Sequence, residues 1–113
     1  MSLSEFEERR IAKIVGKYLE ARRPPVHLRQ ELDFSVRIDG QSVFIDTCRR
    51  VMDGSQVQFP MAKATWVKSQ QVWKIYWMRA SGRWQGYEPC AEVTTIEAFC
   101  NTVEDDVYGC FWG

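Results

Sequence analysis

Leu32-Asp-Phe-Ser-Val-Arg-Ile-Asp-Gly-Gln-Ser-Val-Phe-Ile-Asp-Thr47 alternates apolar and polar residues on both sides of Asp39-Gly40. Leu32, Phe34, Val36 and Ile38 recur at period two, as do Val43, Ile45 and Thr47. An Asp-Gly pair between two such runs is the strongest short-range signal of a β-hairpin. With Asp39-Gly40 as a two-residue type I′ loop, Val36 faces Val43, Phe34 faces Ile45 and Leu32 faces Thr47 on the core side. The same register sets Asp33 opposite Asp46 on the other side, where two carboxylates repel unless a cation such as Arg37 sits between them.

Downstream, residues 50–61 lack periodicity and contain Asp53-Gly54 and Pro60, which predicts a loop. Ala62–Lys68, Val72–Arg79 and Arg83–Tyr87 then read as a three-stranded meander with short turns at Ser69-Gln70 and Ser81-Gly82. Its middle strand carries Trp73, Ile75 and Trp77 on one face and Val72, Tyr76 and Met78 on the other, the pattern of a central strand covered on both sides.

Helices flank these strands. Ile11, Ile14, Val15, Tyr18 and Leu19 share one helical face between Ser4 and about Ala21. Ser4 with Glu7, or Ser2 with Glu5, supplies a capping box, and Pro24-Pro25 stops the helix. A second helix is predicted from Thr94, capped with Glu97, burying Ile96, Phe99, Cys100 and Val103. The segment Tyr108-Gly-Cys-Phe-Trp-Gly113 is too apolar for a solvated tail and is expected to dock. The expected fold is therefore α+β: a five-stranded antiparallel sheet, hairpin plus meander, flanked by an N-terminal and a C-terminal helix. Two helices cover one face only, so a homodimer through the other, aromatic face is the simplest cover.

At 113 residues and 45% hydrophobic, residues 1–113 are expected to form a single domain whose core needs no metal or disulfide staple. A charged N-terminal stretch and the lack of a long apolar run point to a cytoplasmic chain without a membrane segment. Cys48, Cys90, Cys100 and Cys110 show no Cys-x-x-Cys spacing and read as reduced thiols. The formal net charge is zero, which argues against an obligate polyanion binder, but the charge is uneven along the chain. Residues 1–30 hold seven basic and four acidic side chains, residues 61–90 five and one, and residues 91–113 none and five. The acidic segment either matches a basic one within the molecule or covers part of a basic surface.

Arg22-Arg-Pro-Pro-Val-His-Leu-Arg29, Ala62-Lys-Ala-Thr-Trp-Val-Lys68, Val72-Trp-Lys-Ile-Tyr-Trp-Met-Arg79, Arg83-Trp-Gln-Gly-Tyr-Glu-Pro89 and Tyr108-Gly-Cys-Phe-Trp-Gly113 together resemble a bacterial family catalogued as domain of unknown function 3024. The resemblance covers nearly the whole chain. It implies a small bacterial single-domain protein and brings no activity, cofactor or catalytic residue with it.

Candidate sites come from the residues themselves. In the meander, Lys63, Lys68, Lys74, Arg79 and Arg83 interleave with Trp66, Trp73, Trp77, Trp84, Tyr76 and Tyr87. Sheets that bind single-stranded nucleic acid combine such parts, because cations neutralise phosphates and aromatic faces stack on bases. The simpler alternative is that the tryptophans build core or a dimer seam. A second set, Asp33 and Asp46 with Lys63, loosely resembles the carboxylates and lysine of metal-dependent nucleases; the bland alternative is exposed aspartates paired with Arg37 or Arg49. Arg22, Arg23 and Arg29 flank His27, the only histidine, and offer an anion site or simply a solvated helix end. The expected role of His27 is to hydrogen-bond its loop to the sheet. Glycine-rich phosphate loops are absent and no cofactor is expected. The reading is thus a non-enzymatic binding module contacting anions or nucleic acid, with a small metal-dependent hydrolase using Asp33 and Asp46, or a homodimeric interaction domain, as alternatives.

Overall fold

The computed structural model describes residues 3–113. Helix α1 spans Glu5–Glu20. It starts at Ser4, whose hydroxyl accepts the Glu7 N–H at 3.2 Å and donates to the Glu7 carboxylate at 3.1 Å. The alternative cap, Ser2, lies outside the described residues. Ile11, Val15 and Leu19 are its buried side, and Pro24-Pro25 leads into a single 3₁₀ turn, Val26–Leu28.

Strands β1 (Leu32–Asp39) and β2 (Ser42–Arg50) form the expected hairpin, but its loop is Gly40-Gln41. Gly40 alone has a positive φ, 61°, and Gln41 does not. That is the pattern of a type II′ turn, which asks for glycine at the first loop position only. The pairing therefore slides by two residues: Phe34 faces Thr47, Val36 faces Ile45 and Ile38 faces Val43. A slip of two keeps each side chain on its own face, so the core side stands. The Asp33–Asp46 opposition does not: Asp33 faces Cys48 and Asp46 faces Ser35.

Strand β3 runs from Gln56 to Val67, so most of the expected loop at 50–61 is strand and only residues 51–55 turn the chain. Asp53 closes that turn by accepting the Ser55 N–H and hydroxyl at 2.8 and 2.6 Å. Pro60 is tolerated for two reasons. It sits beside an irregularity at Ile45/Asp46, where the β2–β3 register shifts. It also lies beyond Ala62, the last β3 residue that pairs with β4, on an edge that needs no donor.

β4 (Val72–Met78) and β5 (Trp84–Gly86) complete the meander. A sixth strand, β6 (Glu92–Val93), pairs with Trp73 and Lys74 on the same edge of β4 whose other half holds β5. Two residues carry no detectable alternation, so this strand is invisible in the sequence. The sheet order is β1-β2-β3-β4-β5, antiparallel throughout. Helix α2 (Ile96–Asp105) is capped by Thr95, one residue later than expected, through the Ala98 N–H at 3.1 Å.

Both helices pack on one face of the sheet. Ile11, Val15 and Leu19 of α1 and Ile96, Phe99 and Val103 of α2 share a core with Val43, Ile45, Ala62, Ala64, Trp73 and Ile75. No helix among the described residues is long and apolar enough to cross a membrane.

The apolar tail docks as expected. Asp106 takes a left-handed conformation, φ 41°, and its carboxylate accepts the N–H groups of Phe111, Trp112 and Gly113 at 3.0, 2.7 and 3.1 Å. Phe111 is thereby buried against Tyr87, ring centroids 4.8 Å apart. Trp112 meets Phe34 edge-on at 4.8 Å, lies under the Arg22 guanidinium at 4.1 Å, and donates its indole N–H to the Tyr18 hydroxyl at 3.1 Å. Asp106→Ala removes three charge-assisted hydrogen bonds at once. We expect it to cost on the order of 2 kcal/mol, read as a lower urea midpoint with unchanged slope; an unchanged midpoint would show that the tail adds no stability.

Candidate functional site

The side chains that face away from the helices form a row. Reading straight across the pairings, Arg37 of β1 faces Phe44 of β2, Phe44 faces Lys63 of β3, Lys63 faces Tyr76 of β4, and Tyr76 faces Gly86 of β5. Directly opposed residues in neighbouring strands share a face and lie about 5 Å apart, so these five positions make one line across the sheet. Cation and aromatic alternate along it. The Arg37 guanidinium lies 4.1 Å from the Phe44 ring centroid, and the Lys63 ammonium lies 4.6 Å from that of Tyr76. Trp84, two residues before Gly86 on the same face of β5, leans over the row: its ring is 4.9 Å from the Lys63 ammonium and 5.9 Å from the Phe44 ring.

The row is anchored at one end. Asp46 is almost fully buried and holds Arg37 through Nε at 2.9 Å and Nη2 at 3.3 Å, while the Gln58 amide donates to it at 2.8 Å. At the other end Gly86 has no side chain, and a Cβ placed there meets nothing within 4 Å, so the flank of Tyr76 is open. Burial lowers the Lys63 pKa below the ordinary lysine value. A second row lies beside the first: Ser42 and Thr65 share a hydroxyl hydrogen bond of 2.8 Å, Lys74 faces Thr65, and Glu92 faces Lys74.

The basic residues expected to act divide into two groups. Arg22 is held by Glu104 at 3.1 Å and by Trp112, Arg29 donates to the Pro24 carbonyl at 2.9 Å, and Arg23 makes a bidentate bond to Asp33 at 2.8 and 2.7 Å. His27 lies between them, exposed on its 3₁₀ turn, and no hydrogen bond ties it to the sheet, contrary to its expected role. The ion pairs of the described residues use Arg9, Arg10, Arg22, Arg23, Arg37 and Arg50. None uses Lys63, Lys68, Lys74, Arg79 or Arg83. Lys63 and Lys74 stand on the open face, and Lys68, Arg79 and Arg83 are exposed in the turns at either end of β4, the last two joined by the Arg79 N–H to the Arg83 carbonyl at 2.9 Å. The acidic C-terminal segment pairs with Arg10 and Arg22, through Glu97 and Glu104, and its Glu92 stands opposite Lys74 without an ion pair.

The tryptophans divide as well. Trp73 is in the core and Trp66, Trp77 and Trp112 pack against it; Trp84 stands apart on the open face. Trp77, read from the sequence with the binding set, thus points to the helices. Phe44 was not among the residues the sequence singled out, and Arg37 was named there only as a partner for the aspartates, a role it keeps with Asp46. The signal was present, since both fall on the off-core positions of the alternating hairpin, but it needs the strand order to become a row. The Asp33, Asp46 and Lys63 set is not assembled: each aspartate has its own arginine, Lys63 sits over rings, and among the described residues no three His, Cys, Asp or Glu side chains converge to hold a metal. All four cysteines are free thiols.

The Arg23 guanidinium, helped by the Phe34 N–H, holds the Asp33 carboxyl below the usual range against partial burial. A depressed folded-state pKa contributes stability that is present above the unfolded value of roughly 3.9 and is lost as pH falls through the folded value. Asp33→Asn is therefore expected to cost about 1 kcal/mol at neutral pH and nothing once the wild-type carboxyl is protonated. Urea midpoints of both proteins across an acid series check this, and a gap that stays constant with pH would refute it.

No curated protein and no solved structure matches the chain. The model of the family described as Domain of unknown function (DUF3024) matches residues 3–113, which is nearly the whole sequence, and the chain belongs to that family.

Proposed function

We propose that the open sheet face is a contact surface for single-stranded nucleic acid, without catalysis of its own. One observation carries the reading. The meander's five basic residues, which make no ion pair, gather on or around the face where Trp84 stands, and Trp84 is the tryptophan that the core does not use. Phosphates are bound by unneutralised cations and bases by aromatic faces, and here both kinds of side chain stand on one surface. The row spacing suits an extended strand. The rings of Phe44, Tyr76 and Trp84 stand on β2, β4 and β5 of one face, so an extended strand laid across the sheet meets more than one ring. Zero net charge limits the long-range attraction, and the contact is accordingly local and salt-sensitive.

Fluorescence anisotropy of a labelled single-stranded oligodeoxyadenylate at ~50 and ~200 mM salt tests this. Binding is expected to weaken with salt. Lys74→Glu and Arg79→Glu each lower the salt slope by about 0.7 if one phosphate contact is lost, and Trp84→Ala costs about 1–3 kcal/mol of stacking. Salt-independent binding, or none, would sink the proposal. If instead the free protein is a concentration-dependent dimer that Trp84→Asp dissociates, the face is an interface between two copies.

A further inference from the structure

We propose that Lys63 is a placeholder: in the free protein its ammonium covers the ring faces of Tyr76 and Trp84, and an incoming base displaces it toward the neighbouring phosphate. The inference rests on the nucleic-acid reading of the open face. It starts from the place Lys63 occupies. Its ammonium lies over two rings at once, 4.6 Å from one centroid and 4.9 Å from the other, and has no carboxylate partner although Asp46 and Glu92 stand on the same face. A base that stacks on either ring must take the place of the ammonium that covers it.

The two cations of the row behave differently because of their chemistry. Arg37 is fixed by two hydrogen bonds to buried Asp46 and by its stack on Phe44. Lys63 is held by ring faces alone, which attract a cation without fixing its direction. A lysine head on four rotatable carbons swings without moving the strand. Partial burial, which lowers its pKa, adds a gain on leaving for solvent and phosphate. The open flank at Gly86 gives the base a way in. Lys63 therefore acts as a specificity-determining residue: it yields to a stacking base with a phosphate attached, and less readily to a base without one.

Adenosine and oligodeoxyadenylate separate the two roles, with adenosine followed through the NMR shift of the Trp84 indole N–H. Lys63→Ala is expected to bind adenosine about three- to tenfold more tightly than wild type, because no cation has to be displaced. The same variant is expected to bind the oligonucleotide more weakly at low salt, with a salt slope smaller by about 0.7. Lys63→Gln, which keeps the stem and loses the charge, is expected to move both affinities the same way and guards against misfolding of the alanine variant. Adenosine binding that is unchanged or weaker in both variants overturns the placeholder role while leaving the surface intact. An oligonucleotide that fails to bind folded wild-type protein overturns the nucleic-acid reading, and the placeholder with it.

Discussion

Ala62 and Ala64 occupy the middle strand of the sheet, both without exposed surface, and the rest of the structure depends on the space they leave. Neither carries more than a methyl group, and in the core they share with Phe99, Ile11, Val15 and Val103 each of those four side chains is at most 2% exposed. The alternation of a strand fixes the rest. With positions 62 and 64 committed to the core, positions 63 and 65 point to the opposite face, which no helix among the described residues covers. One packing decision therefore makes both the core and the exposed row, and the cation and aromatic side chains stand in line because their strands are paired in register with that decision.

The exposed face is also held from behind. Asp46 is a nearly buried carboxylate on that side, and its charge is tolerable because Arg37 and Gln58 satisfy both oxygens. It stands where the β2–β3 register shifts, so the irregularity that lets Pro60 enter the sheet also positions the acid that orients Arg37. The fixed end of the row and Lys63 at its middle thus have separate structural origins. The N-terminal arginines, equally numerous in the sequence, have been drawn into the fold: they tie α1 and its following loop to Asp33 and to Glu104 of α2.

Much of this was legible in the residues. Helical spacing gave both helices and their buried positions, and period two gave the hairpin and the meander with their core sides. The misreadings trace to particular residues whose local signal has more than one solution. Asp39-Gly40 announces a tight turn, but glycine serves the first position of a type II′ loop as well as the second of a type I′ loop, and only the pairing decides. Pro60 reads as a breaker unless the edge and the irregularity beside it are known. Thr94 and Thr95 offer the same hydroxyl one residue apart. For the site, Trp77 and Trp84 look alike in sequence and face opposite ways in the sheet. Arg37 and Phe44 lie in the hairpin, remote along the chain from the meander, and become neighbours of Lys63 only through the β1-β2-β3-β4-β5 order.

The docking of Trp112 on Tyr18 bridges positions 94 apart in the chain. That single contact sets an order of events during synthesis. Until α2 and the tail have emerged, the side of α1 formed by Ile11, Val15 and Leu19 has only the sheet to cover it, and loop-closure entropy delays the partners that finish the job. A growing chain must carry that apolar stripe until residues 96–112 have followed it, which makes α1 a segment in need of a chaperone.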